Sequence, residues 1–298
     1  MKLRIATALA GLFATEVSAQ PDFDWQRTID TAGRVLVAPE VAHTSISYGR
    51  SYWQEIQFWP PKNAAAPAPV VVIIVGGAEP GYTTSWMTQR LHREGFALAE
   101  VSYRVDERQN LREGMREITS AIAFLRKQSE RRKIDPQRIL LLGTGTGAHI
   151  AALLATDPAW LEAAGVPFAS IRAVATLNGS GFDVEDTIAR APAHLRSDYR
   201  RTFGKGVAER TGLSPVDHLA PPNAPRFLFQ FEEQEPRLRA QSENAAARFN
   251  AGGVSARAEA LPEWHSELLS TYLLAPEGGV GESLLAFLKS SAGMPGAN

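Results

Sequence analysis

The period of the hydrophobic pattern changes repeatedly along the chain. Val70-Val-Val-Ile-Ile-Val75 is an unbroken apolar run, preceded by the Pro/Ala-rich stretch 62–69 and followed by Gly76-Gly77. A short apolar run between such breakers predicts a strand buried on both faces. Beyond it, helical and strand patterns alternate. Residues 85–94 have helical spacing, Ala97–Tyr103 strand spacing, and 111–131 the spacing of a long amphipathic helix. Arg138–Leu142 predicts a strand, Thr146–Thr156 a helix, Ala173–Leu177 and Arg226–Phe231 strands, Gln241–Ala251 a helix, Ala256–Leu261 a strand and Gly281–Ser290 a last helix. Apolar strands that alternate with amphipathic helices build βαβ units, hence an α/β fold with a mostly parallel central sheet and helices on both faces. Ile46–Phe58 has the pattern of an antiparallel hairpin at the sheet edge. The less regular stretch 183–222 is expected as a cap-like insertion near the carboxyl ends of the strands, where α/β proteins place their sites. Residues 291–298 are expected to be a flexible tail.

The first 19 residues break this pattern. Lys2 and Arg4 precede the apolar run Ile5–Thr15, and Val17-Ser18-Ala19 supplies small residues for cleavage. This is the layout of a secretory signal, so the mature chain is expected to begin at Gln20 and to be secreted or periplasmic. The run is too short for a membrane span, which needs about 20 apolar residues, and no later stretch reaches that length. Residues 20–290 show no linker that would divide them, so one domain is expected. A 44 % hydrophobic and 21 % charged composition allows a substantial core. The formal net charge of −1 carries no basic face, which argues against nucleic-acid binding. With no cysteine, disulfides, thiol catalysis and cysteine metal sites are excluded. No His-x-His or His-Glu-x-x-His spacing suggests a metal, and no cofactor is expected.

The chemistry concentrates in Arg138-Ile-Leu-Leu-Leu-Gly143-Thr-Gly145-Thr-Gly147-Ala-His149. A buried strand runs into closely spaced glycines and then into a helix of small and apolar residues, the context of a Gly-x-Ser-x-Gly nucleophile elbow. Gly143 and Gly147 are the flanking glycines, which let strand and helix approach. Gly145 stands at the apex, where the nucleophilic serine belongs. An apex needs positive φ, which glycine adopts freely, so Gly145 fits the turn and brings no reacting atom. A phosphate loop would need Lys and Ser/Thr after the last glycine, where Ala148-His149 stands. The tolerant dinucleotide pattern fits Gly143 to Ala148, but no acidic partner for a ribose follows the next strand at Leu177-Asn178. Thr144 and Thr146 flank the apex without an adjacent base, and His149, one turn on, is expected to pack or cap.

This segment resembles the elbow of the α/β-hydrolase superfamily, in particular its feruloyl-esterase-like and arylformamidase-like carboxylesterase branch, where the stretch usually reads Gly-His-Ser-Ala-Gly-Ala-His-Leu. The resemblance extends over roughly 44–290. Val70–Gly77 is similar to the strand entering a His-Gly-Gly oxyanion loop, Val101-Ser-Tyr-Arg104 to an Asn-Tyr-Arg strand end, and Ile134-Asp-Pro-Gln-Arg138 to the Asp-Pro-x-Arg before the elbow strand. Leu213-Ser-Pro215 with Ala224-Pro225 is similar to the run into the acid strand. The resemblance implies an α/β-hydrolase fold and an order of nucleophile, acid and histidine. It implies His265 as base and an acid among Glu232, Glu233 and Glu235, with Glu235 favoured because Glu235-Pro236 resembles the usual Asp-Pro. It also implies an oxyanion site from backbone N–H groups of Gly76, Gly77 and Thr146. Two departures stand out: Gly145 for serine, and Val75 for the oxyanion-loop histidine. Descent from hydrolases of carboxylic esters or aryl amides is therefore expected, with impaired turnover. The alternative is a non-catalytic pseudo-hydrolase that binds a small ester or acyl ligand or a protein partner.

Overall fold

The computed structural model describes residues 42–62, 66–75, 85–104, 111–261 and 280–295. The expected leader 1–19, Gly76, Gly77 and His265 lie outside the described residues. In chain order the elements are β1 (Thr44–Ser47), β2 (Glu55–Trp59), β3 (Ala68–Val75), α1 (Ser85–Arg93), β4 (Ala97–Val101), α2 (Leu111–Lys127), α3 (Ser129–Arg132), β5 (Ile134–Thr144), α4 (Thr146–Leu154), α5 (Pro158–Ala163) and β6 (Ile171–Leu177). There follow α6 (Val184–Arg190), α7 (Ala193–Phe203), α8 (Val207–Thr211), β7 (Arg226–Glu232), α9 (Pro236–Ala251), β8 (Ser255–Leu261) and α10 (Val280–Ser291).

Among the described residues the strands form one eight-stranded sheet in the order β1-β2-β4-β3-β5-β6-β7-β8. The expected hairpin is its edge: β1 and β2 pair antiparallel, and β2 runs antiparallel to β4. From β4 onward all pairs are parallel. All of Ala68–Val75 is buried, as required of a strand covered on both faces. The period-2 alternation of a strand sorts its side chains between two cores. Val70, Val72 and Ile74 join Leu141, Ile150, Leu153, Phe227, Phe229 and Phe249 on one face. Val71 and Ile73 join Leu140, Leu142, Leu228, Leu284, Leu285 and Leu288 on the other.

Several boundaries differ from the sequence expectation, each for a local reason. The helix expected over 111–131 stops at Lys127. A separate turn, α3, then ends on Lys133 in the left-handed conformation at φ 57°, which swings the chain into β5. That strand begins at Ile134 rather than Arg138, because Ile134 pairs with Ala68 before a register shift. The helix expected from Gln241 starts at Pro236, where proline at the first helical position loses no needed N–H. The chain stays packed beyond residue 290: α10 runs to Ser291 and Ala292 is buried. The flexible tail expected over 291–298 therefore does not include these two residues.

The insertion 183–222 is built on three helices, α6 to α8. Arg248 of α9 ties its two ends together, pairing with Asp183 at 2.7 Å and Asp217 at 3.0 Å. Gln241 of α9 donates to Asp186 at 2.9 Å and accepts from Thr187 at 3.0 Å, which docks α6. Gln241, where the sequence pattern placed the start of this helix, is thus a docking residue.

Candidate active site

The sheet order reverses direction beside β3: β4 lies on one side of it and β5 on the other. In open α/β sheets the crevice at such a switch point, outside the carboxyl ends of the strands, is where ligands bind. The elbow stands there. β5 ends at Thr144, the chain turns through Gly145, and α4 starts at Thr146.

Gly145 has φ 54° and ψ −122°, a conformation closed to most side chains. Its N–H donates to the Leu177 carbonyl at 3.2 Å, which holds the apex against the end of β6. The flanking glycines are set by contact. A Cβ on Gly143 would lie 2.3 Å from the Gly147 carbonyl oxygen, and one on Gly147 only 2.0 Å from that of Ile74. Neither position can hold any other residue without moving backbone. Gly145 and Thr146 are exposed, so the apex is open to a ligand. The first N–H groups of α4 have no partner within their own helix, and with the helix dipole they favour negative charge. Thr146 supplies the first of these N–H groups.

His149, one turn along α4, is 1 % exposed. Its Nδ1 lies 2.9 Å from the Gly181 carbonyl, which can only accept, so Nδ1 carries the proton. Its ring meets Phe203 of α7 edge-on at 5.0 Å. Burial lowers its pKa to about 4, against the weaker opposing pull of the Gly181 carbonyl. His149 is therefore a neutral packing residue that joins the elbow helix to the 183–222 insertion, as expected.

The three glutamates after Phe231 have different surroundings. Glu232, the last residue of β7, is 6 % exposed. Its Oε1 accepts from Asn178 Nδ2 at 2.7 Å, and its N–H donates to Asn178 Oδ1 at 2.8 Å. Glu233 is exposed and faces Arg239 at 3.6 Å. Glu235 is half-buried and directly precedes α9; its N–H donates to the Glu232 carbonyl at 3.1 Å, and its side chain does not cap the helix. Asn178, which the sequence marked only by its non-acidic character, sits at the end of β6 with φ 49°, unusual for a residue with a side chain.

The other matched motifs are structural. Arg138 pairs with Asp135 at 2.7 Å and donates to the Pro67 carbonyl at 2.7 Å, which pins the loop before β3. The Arg104 N–H donates to the buried Glu117 carboxylate at 2.6 Å, and the Arg104 guanidinium lies 4.6 Å over the Trp53 ring and pairs with Glu113 at 2.9 Å. Arg104, Glu113 and Glu117, with Gln54, Arg116 and Ser120, line an open cavity of about 340 Å³ that sequence reasoning missed. Among the described residues no cluster could hold a metal ion, and no helix is long and apolar enough to cross a membrane.

The BD-FAE family model matches residues 56–243 of this chain. The chain belongs to the BD-FAE family. Curated relatives include the probable isoprenylcysteine alpha-carbonyl methylesterase ICME of Oryza sativa subsp. japonica. It is 26 % identical over 191 residues, 62 % of this chain and 45 % of that protein. Esterase LipC of Mycobacterium tuberculosis is 26 % identical over 220 residues, 68 % of this chain and 53 % of that protein. The chain thus spans about half the length of these two relatives. Among solved structures, esterase B from Lactobacillus Rhamnosis superposes with a TM-score of 0.70 at 19 % identity, over 90 % of this chain and 91 % of that one. A truncated carbohydrate esterase from gut microbiota gives a TM-score of 0.70 at 16 % identity, over 86 % and 99 %. The fold is the α/β-hydrolase fold of esterases, and this BD-FAE member is an esterase-like protein by family.

Proposed function

We propose that this BD-FAE member is a pseudo-hydrolase: it keeps an esterase-type acyl site and binds a small carboxylic ester or acyl ligand, but does not turn it over through an acyl-enzyme. The observation that carries this is Gly145 at the apex, φ 54°, with no side chain to attack a carbonyl. Acyl transfer through a serine needs an oxygen at that point, a base to take its proton, and N–H donors for the developing oxyanion. The first of these is missing here. An apex that presents only backbone N–H and open space, at the positive end of α4, suits a bound carbonyl or carboxylate oxygen better than a reaction. The methylesterase and esterase relatives support a carboxylic-ester ligand class. Mature protein is expected to leave p-nitrophenyl acetate and butyrate unhydrolysed above a heat-treated control. Turnover that His265→Ala abolishes would overturn the proposal in favour of direct attack by water.

Export belongs to the same proposal and rests on residues 1–19 alone. The intact mass of protein isolated from its native host is expected to correspond to a chain starting at Gln20; a mass that retains Met1 would refute it.

A further inference from the structure

We propose that the end of the sheet opposite the elbow is a basic docking surface for an anionic phospholipid bilayer, formed by Lys127, Arg131, Arg132 and Lys133 where α2 and α3 lead into β5. The expectation of no basic face, drawn from the formal net charge of −1, does not hold at this end. Residues 126–133 read Arg-Lys-Gln-Ser-Glu-Arg-Arg-Lys, five cations against the single acid Glu130. Helix dipoles account for part of this. α2 ends at Lys127 and α3 at Arg132, and each helix end carries roughly half a negative charge, so about one cation balances both.

The excess is not neutralised within the protein. Lys127, Arg131 and Lys133 are exposed, and among the described residues none of them is in an ion pair. Arg132 is fixed without a counter-ion: its guanidinium lies 5.1 Å over the Phe58 ring, and its Nε, shielded from solvent, has no hydrogen-bond partner. Burial, and then repulsion by Arg131, pull its pKa below the ordinary arginine value. Arg126 turns inward to the Pro136 carbonyl and is not one of the free charges. Asp135 is taken by Arg138 at 2.7 Å, and Asp157 by the Ala159 N–H at the start of α5. Exposed Glu162 of α5 offsets part of the charge, while β6 adds exposed Arg172 beside Ile171, which pairs with Ile139. Like charges held together weaken a fold by self-repulsion, and a plane of lipid phosphates relieves it.

Clusters of about four to eight Lys/Arg bind anionic leaflets, each cation contributing about fivefold to partition. Among the described residues the exposed large hydrophobics are Tyr52, between β1 and β2, and Val207 of α8. Neither belongs to this end, so it offers no wedge for the acyl region and no stacking platform for nucleic-acid bases. Contact is therefore electrostatic and stays in the headgroup plane. β5 runs eleven residues from this pole to the elbow, so the apex stands about 30 Å away and faces the aqueous side of a docked molecule. The inference is independent of whether the elbow binds or reacts.

The test is sedimentation of the chain from Gln20 onward, free of the apolar run Ile5–Thr15, with phosphatidylcholine vesicles that contain or lack about one-third phosphatidylglycerol. Binding is expected only with phosphatidylglycerol and is expected to vanish on raising salt from about 0.05 M to about 0.5 M. Lys127→Gln, Arg131→Gln and Lys133→Asn together should lower partition about 100-fold; asparagine suits the left-handed backbone at 133, φ 57°. Arg200→Gln, Lys205→Gln and Arg237→Gln together remove the same charge from exposed sites elsewhere, and should change partition by less than about fivefold. Urea unfolding checks that each variant is folded. If the first combination unfolds, Arg131→Gln alone decides, with an expected loss of about fivefold. No binding by wild type, binding to phosphatidylcholine alone, binding that survives salt, or equal losses in the two combinations overturns the proposal. Tighter capture by duplex DNA than by phosphatidylglycerol vesicles at the same salt overturns the lipid assignment and makes the pole a nucleic-acid surface.

Discussion

Gly145→Ser is expected to give the protein esterase activity on p-nitrophenyl butyrate at least about 100-fold above wild type. Removal of a nucleophile from serine hydrolases costs several orders of magnitude, because oxyanion donors and binding alone supply only a fraction of the acceleration. On the reading proposed above, with His265 as base and backbone N–H groups as donors, restoring the oxygen recovers a good part of it. The backbone is ready to receive it: φ 54° and ψ −122° at residue 145 is an apex already formed, and Gly143 and Gly147 already supply the close approach it needs. The gain has a cost. A residue with a side chain in this conformation is strained by about 1–3 kcal/mol, so the variant should unfold at lower urea than wild type while working faster. A phosphonate ester should label residue 145 in the variant and leave wild type unmodified. A folded variant with neither activity nor labelling would mean that more than the serine has been lost.

At most positions glycine weakens structure through its extra freedom in the unfolded chain. At the apex it removes strain that serine hydrolases carry for function. The chain presents no side-chain oxygen at residue 145 and keeps an unstrained turn there, in line with the binding role proposed above.

The fold was legible in the sequence because each level of pattern agreed. The unbroken run Val70–Val75 between breakers predicted a doubly covered strand, and the glycines at 143, 145 and 147 predicted a tight turn from strand to helix. What the sequence left open depended on contacts between segments far apart in the chain. The start of β5 at Ile134 is set by pairing with Ala68, which has no local signal. The start of α9 at Pro236 did have one, the proline at its first position, and periodicity alone missed it. The acid was ambiguous because three glutamates fall within Glu232–Glu235, and composition cannot separate them. What distinguishes Glu232 from its neighbours, burial and the reciprocal bonds to Asn178, arises only when β6 and β7 lie side by side.

Acid should loosen the junction between the elbow helix and the 183–222 insertion through His149. In the folded protein this imidazole is held neutral, with its pKa lowered from 6.5 to about 4 chiefly by burial. In the unfolded chain it titrates normally. Above the unfolded value neither state binds the proton, and the neutral ring costs nothing. As pH falls from about 6.5 toward 4 the unfolded state takes up a proton that the native state refuses, so stability is lost across that window; below it both states are protonated and the loss levels off. At about 1.4 kcal/mol per pKa unit the loss approaches 3 kcal/mol. Carboxylates also titrate in this range, so the signal is a difference between two proteins. His149→Asn keeps a donor for the Gly181 carbonyl but cannot take up the proton, and it leaves space beside Phe203, so it should be less stable than wild type at pH 7. In urea unfolding followed from pH 7 to 4, that gap should close by roughly 3 kcal/mol, because only wild type carries the histidine penalty. Parallel curves for the two proteins would show that His149 is readily protonated in place. The junction would then owe its shape to Phe203 and Gly181 rather than to a neutral imidazole.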